Sequence, residues 1–208
     1  MIGIPLGLFT FSLGEWLIHK YVLHGLGKDK RSVWAFHFHE HHRETRRHHG
    51  VDPTYATRGV LGWHAQGKEA LALVAVGVCH LPLLPVAPCY TATIWYSLGR
   101  YYWVHKRSHQ DPQWARAHVP WHYDHHMGPD QDQNWGVTRP WIDDLLGTRQ
   151  PFVGTAAEAR ASLRRVARGG TGESCTCAGC AAASTLADKT VGGAARTVVP
   201  SLVTRDAK

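Results

Sequence analysis

The chain has 208 residues, room for one domain with a real core, and carries 23 Lys and Arg against 16 Asp and Glu, a net charge of +7 with histidine neutral. That basic balance suits nucleic acid, an anionic membrane surface or a solvated face, and only the positions of the charges can separate these. Five cysteines at no disulfide-framework spacing exclude a stapled scaffold, while 16 His and 9 Trp stand out in a chain of this size.

Residues 2–18 are nearly all apolar, with Glu15 the single charge, and helix can continue to about Leu23. At ~1.5 Å rise per residue such a helix would cross most of a ~30 Å hydrocarbon core. The start lacks the basic n-region and cleavage site of a signal peptide, so it reads as mature protein. Glu15 and His19 are i, i+4 neighbours near the polar end. His24 follows five residues after His19, a rotation of roughly 140° on an α-helix, so the two do not share a face. Either they serve different metals or the helix stops before His24, where Gly25 and Gly27 permit it.

Lys28-Asp29-Lys30-Arg31 precedes the run Phe36-His37-Phe38-His39-Glu40-His41-His42-Arg43. His37 and His41 are i, i+4, with His42 beside His41, which makes these three the ligand candidates. His39 points elsewhere on a helix, as a supporting or exposed residue, though spacing leaves the choice between His37 and His39 open. His48 and His49, in the basic run that follows, read as solvated.

A loop through Asp52-Pro53 and Gly59 leads to Trp63-His64. The apolar stretch from Glu69 to Leu81 is about 13 residues, short of the ~20 that span a bilayer. With Pro82, Pro85 and Pro88 at its tip and Tyr90 to Val104 returning, it reads as a helical hairpin that dips into a membrane or barely crosses it. A buried hairpin of a soluble protein is the rival. Cys79 and His80 at the tip read as packing residues. Trp95, Tyr96, Tyr101, Tyr102 and Trp103 suit a lipid–water interface. The return helix ends in His105-Lys106-Arg107-Ser108-His109, with His105 and His109 facing the same way. His118 lies four residues before His122, but Pro120 interrupts the helix between them.

Trp121-His122-Tyr123-Asp124-His125-His126 lies between Pro120 and the pair Gly128-Pro129, a start and a stop for two helical turns. His122, His125 and His126 then project from one face. Three imidazoles so placed repel when protonated and make sense as neutral metal ligands. Beyond Phe152 the composition shifts to Ala, Gly, Thr, Ser and Arg. Residues 155–168 read as a short basic helix and 169–208 as a flexible tail, in which Cys175, Cys177 and Cys180 have no fourth ligand nearby in sequence.

The first helix ends at His19 and His24, and the hairpin starts and finishes on that same side, so all four His clusters share one side of the membrane. Lys20, Lys28, Lys30, Arg31, Arg43, Arg46, Arg47, Lys106 and Arg107 lie there too. Lys and Arg concentrated beside membrane ends mark the cytoplasmic side, which accounts for the charge without nucleic acid. The expected fold is all-α, with multi-pass membrane helices and a cytosolic His-rich helical cap. It divides into a membrane domain over 1–152 and a low-complexity tail over 153–208.

The candidate metal ligands are His19, His24, His37, His41, His42, His105, His109, His122, His125 and His126. Ten exceed the four that one zinc takes and suit two ions with four or five imidazoles each. Two metals with only nitrogen ligands beside a membrane suggest iron and oxygen chemistry more than hydrolysis. The four clusters, the trailing Asn134-Trp135-Gly136 and Trp141-x-Asp143-x-Leu145-x-Gly147-Thr148 resemble the fatty acid hydroxylase/sterol desaturase superfamily of membrane di-iron enzymes. Glu15 to Gly25 is also similar to the first box of bacterial β-carotene hydroxylases. The resemblance covers about residues 10–149. It implies two irons, for which zinc can substitute, O2 activation, hydrogen abstraction from an unactivated C–H and hydroxyl rebound. It also implies a lipid substrate (fatty acyl chain, sterol or carotenoid) and two electrons from a separate ferredoxin or cytochrome-type donor. The alternatives are a lipid desaturase of the same chemistry and a non-catalytic His-rich metal-binding membrane protein.

Overall fold

The computed structural model describes residues 2–57 and 59–167, and the tail cysteines lie outside them. The described residues are all helical or irregular, with no strand among them. Residues up to Val153 form one compact unit, and those from Gly154 onward belong to a second, which contains a helix over Ala156–Ala167.

In chain order the first unit holds α1 (Gly3–Leu17), π-helical turns over Ile18–Leu26 and Phe36–His42, α2 (Arg43–Arg47), α3 (Pro53–Thr57) and α4 (Ala65–His80). A 3-10 turn over Leu81–Leu83 leads to α5 (Pro88–Gln110), α6 (Pro112–His118), α7 (Pro120–Met127) and α8 (Trp141–Leu146). Four of these helices start on a proline, whose fixed φ suits the first turn and whose missing N–H is not needed there. Asp111 caps α6 by accepting from the Trp114 N–H at 3.0 Å, and His64 caps α4 by accepting from the Gly67 N–H. Gly147, at φ 68°, closes α8.

Three helices form the frame. α1 runs parallel to α5 and very close to it: a Cβ on Gly7 would stand 2.8 Å from the Thr93 Cβ, and one on Gly3 2.9 Å from the Tyr90 nitrogen. α4 returns antiparallel along α5, with Gly77 pressed against the Trp95 ring. Residues 3, 80 and 88 therefore share one end of the frame, and His19, His105 and His109 the other. At the first end Ile4, Leu6, Val78, Leu83, Leu84 and Val86 are exposed. At the second, Trp16, Trp135 and Ile142 pack together with Leu13 and Trp141.

The hairpin appears where its prolines put it, but multi-pass spanning helices do not. Among the described residues no helix is long and apolar enough to cross a membrane. The 15 residues of α1 rise only about 22 Å before the backbone changes to π geometry. α5 has the length, at 23 residues, but carries Arg100, Lys106 and Arg107.

Candidate metal centre

The histidines converge at the second end of the frame in two adjoining groups. His19, His24, His37, His42 and His125 form the first, and His41, His105, His109 and His126 the second. Within each group one ring nitrogen per residue lies within 4.8 Å of all the others. All nine are buried. His122, the tenth candidate, stands against the second group, its Nε2 3.1 Å from that of His109. The second and fourth clusters each feed both groups: His42 and His125 go to the first, their neighbours His41 and His126 to the second. The groups are thus a pair, with the His42 and His126 ring centroids 4.2 Å apart.

π geometry explains two spacings that an α-helix does not. Hydrogen bonding from i to i+5 stacks residues five apart, where an α-helix would splay them. His19 and His24 consequently share a face, ring centroids 5.2 Å apart, and serve one group rather than different metals. His37 and His42 meet in the same way, with Nε2 atoms 3.2 Å apart. His39 points out, its Nε2 bonded to the Lys28 carbonyl oxygen, and it is His37 that stands among the first group.

Each group is oriented from outside. The Nδ1 of His19 lies 2.6 Å from the Trp135 carbonyl, that of His125 2.7 Å from the Gln133 carbonyl and that of His109 3.2 Å from the Gly50 carbonyl. A carbonyl only accepts, so in these three rings Nδ1 carries the proton and Nε2 the lone pair. His42 is held by Gln131 at 2.7 Å, His24 by Asp132 at 3.2 Å, His41 by Asp52 at 2.7 Å and His105 by Glu69 at 2.5 Å. Tyr55, buried beside His41, His105 and His109, donates its hydroxyl to Glu69.

The inward nitrogens face one another: Nε2 of His19 and His37 are 3.0 Å apart, His24 and His42 3.1 Å, His42 and His125 3.1 Å, and His105 and His109 3.2 Å. Lone pairs at that range repel. Two nitrogens each about 2.0–2.1 Å from one ion, in tetrahedral geometry, would stand roughly 3.3 Å apart. His41 Nε2 and both nitrogens of His126 are buried without a hydrogen-bond partner among the described residues. The donor set therefore fits two transition-metal ions, one per group, bound by neutral imidazoles.

Burial keeps those imidazoles neutral. Desolvation, with repulsion from neighbouring rings, lowers His19 to about 3 and His24 to about 2. The same cause holds His37, His42, His105, His109, His122, His125 and His126 well below the ordinary histidine value. Burial alone would raise the Asp52 carboxyl, but hydrogen bonds from His41 and Thr54 outweigh it and hold Asp52 below the usual carboxylate range.

The trailing motifs turn out to be the clamp behind the first group. Asp143 accepts from the Trp135 and Gly136 N–H groups at 2.9 and 2.8 Å, and from the Trp16 indole and the Thr148 hydroxyl. Glu15 accepts from the Val137 and Thr138 N–H groups and the Thr138 hydroxyl, so it fixes this loop rather than a metal. Asn134, at φ 60°, anchors Arg149, which in turn donates to Asp124 on α7. Arg46 donates to the His126 and Gly128 carbonyls and so caps α7. His48, His49 and His118 are exposed, and His80 bonds the Val76 carbonyl, so none of the four joins a group.

Asp52, Glu69, Gln131 and Asp132 are the supporting residues that spacing does not reveal. The one available signal is the polar run directly after the fourth cluster. Neither a protein-family model nor a curated protein nor a solved structure matches the chain.

Proposed function

We propose that the protein is a membrane-associated di-iron oxygenase that hydroxylates a C–H bond of a lipid. The observation that carries this reading is the paired His groups, joined through adjacent residues of two clusters. Two irons held there would supply O2 activation and attack on an unactivated C–H. The overall balance is R–H + O2 + 2 electrons + 2 protons giving R–OH + H2O, which requires an external electron donor. The chain's own part is positional. Trp135, Gln133 and Gly50 fix three ring tautomers, Asp52, Glu69, Asp132 and Gln131 orient four further rings, and burial keeps protons off the inward nitrogens.

The membrane side of the reading draws on the apolar end of the frame. Exposed Ile4, Leu6 and Phe9 on α1, Val74 and Val78 on α4, and Trp95 and Tyr96 on α5 suit contact with lipid. The His groups, at the other end, would then stand on the cytoplasmic side with the Lys and Arg residues. A desaturase uses the same centre, since the same oxidant can remove a second hydrogen. A non-catalytic metal-binding role is the rival of another class.

Metal content per chain, measured on protein purified in detergent from iron-supplied cells, tests the proposal together with mass spectrometry of lipid extracts. Two metals per chain and a lipid heavier by one oxygen are expected. Two metals with a lipid lighter by two hydrogens would mean a desaturase. Unchanged lipids would sink the enzyme reading.

A further inference from the structure

An open cleft of about 600 Å³ lies over the first His group, lined by Lys30, Phe38, His39, His42, Arg43, Arg46 and Gln131. Three of these residues are cations and none is a carboxylate. Its inner wall is His42, whose Nε2 is enclosed by His24, His37 and His125. The cleft therefore meets His42 from the side of Nδ1, where Gln131, itself part of the lining, bonds the ring. A substrate carbon seated here would face the back of an imidazole and not the atoms that hold metal. An electron needs no such access: one imidazole separates the cleft from the first metal position. The cleft also belongs to the end of the frame that carries the His groups, away from exposed Ile4 and Leu6 on α1 and Val78 on α4.

We infer that this cleft docks an acidic, one-electron carrier protein and that electrons enter through Gln131 and His42 into the first group. The inference rests on the oxygenase reading, whose balance calls for two electrons, delivered in two successive dockings. In each docking the reduced carrier loses one electron and the metal centre gains it, with no bond made or broken. Arg46 keeps its α7-capping bonds throughout, while exposed Lys30 presents its charge to the partner together with exposed Arg43, whose Nε donates to Glu44 at 3.3 Å. Complementary charge of this kind mainly speeds encounter and makes binding salt-dependent.

The test uses the full iron-loaded chain and an acidic [2Fe–2S] ferredoxin as probe. Affinity is measured at two salt concentrations, and anaerobic reoxidation of the reduced ferredoxin is followed by absorbance. Lys30→Glu with Arg43→Glu should weaken binding at least about tenfold, flatten its salt dependence and slow reoxidation in proportion, with iron content unchanged. Arg164→Glu, a like charge reversal at an exposed residue that does not line the cleft, should stay within about twofold. Equal affinity and rate for the double variant and the parent protein would overturn the docking site. So would loss of anionic-vesicle binding in the double variant with ferredoxin binding intact, which would make the cleft a membrane contact. Dithionite separates the two levels. If it reduces the bound iron while ferredoxin neither binds nor is oxidised, the docking inference fails and the oxygenase reading stands. If dithionite cannot reduce the iron either, both fall.

Discussion

The two His groups are built from the same ligand but backed by different chemistry. Behind the first stand two backbone carbonyls, the Gln131 amide and Asp132, whose side chain is 48% exposed. Behind the second stand Asp52, 1% exposed, and Glu69, 11% exposed, with the Gly50 carbonyl. A buried carboxylate against Nδ1 makes its imidazole a stronger donor, whereas an exposed one is screened by water. The second position should therefore hold its ion more tightly with four rings than the first does with five. Identical ligands do not make identical sites.

The largest effect tests whether the pair is a unit. His125→Ala removes a ring from the first group and His126→Ala one from the second, and the two residues are adjacent on α7. On the proposed oxygenase reading, which uses both positions together, each should lower product formation by at least about 100-fold. Metal analysis should differ: His125→Ala retains the second ion, whereas His126→Ala keeps the first. Full turnover by either variant would end the site assignment.

Next in size is the comparison of the outer residues. Asp52→Asn keeps an acceptor on His41 but removes the charge, and should weaken one of two metal-binding steps by about 10- to 100-fold. Asp132→Asn, behind the first group, should change either step by less than about threefold because Asp132 is half in water. Stepwise metal titration followed by calorimetry separates the two steps, and equal effects from both variants would erase the asymmetry.

Much of this centre is legible in residue spacing, and the exceptions have identifiable causes. Pro120 and Gly128-Pro129 bracket α7 as proline and glycine chemistry requires, and the i, i+3, i+4 rule places His122, His125 and His126 together. The same rule fails at His24, because it assumes a 3.6-residue turn and hydrophobic periodicity carries no mark of i to i+5 bonding. Asp52 and Glu69 stay hidden for another reason. They lie 11 and 36 residues from the rings they hold, and only the packing of α3 and α4 on α5 brings them there. Asp143 and Asn134 are visible as pattern but not as clamp, since their work is done on backbone groups that no sequence displays.

Acid distinguishes the groups more gently. Burial sets His19 at about 3 and His24 at about 2, below the unfolded value near 6.5. Below pH 6.5 the unfolded chain thus takes up protons that the folded rings refuse. Stability of the metal-free protein is full above that pH and falls as pH drops from 6.5 toward 3, which urea midpoints measured across the range would register. In the second group the Asp52 charge favours the protonated form of His105 and His109 and softens the loss. With metal bound, acidification should release one equivalent from the first group before the other, and simultaneous release would contradict the ranking.

The smallest effect belongs to a histidine that shares the composition of the groups but not their place. His48 is exposed, and its ring lies 3.5 Å from the Glu44 carboxylate in a pair that water screens. His48→Ala should shift stability by less than about 0.5 kcal/mol and leave both metal equivalents bound. A chain ending at Gly154 should do the same for the metals, because the ligands and the residues that orient them all lie between His19 and Trp135. If either change released an ion, the histidines that hold it would have to include ones outside the two buried groups, and burial would no longer be what selects a ligand here.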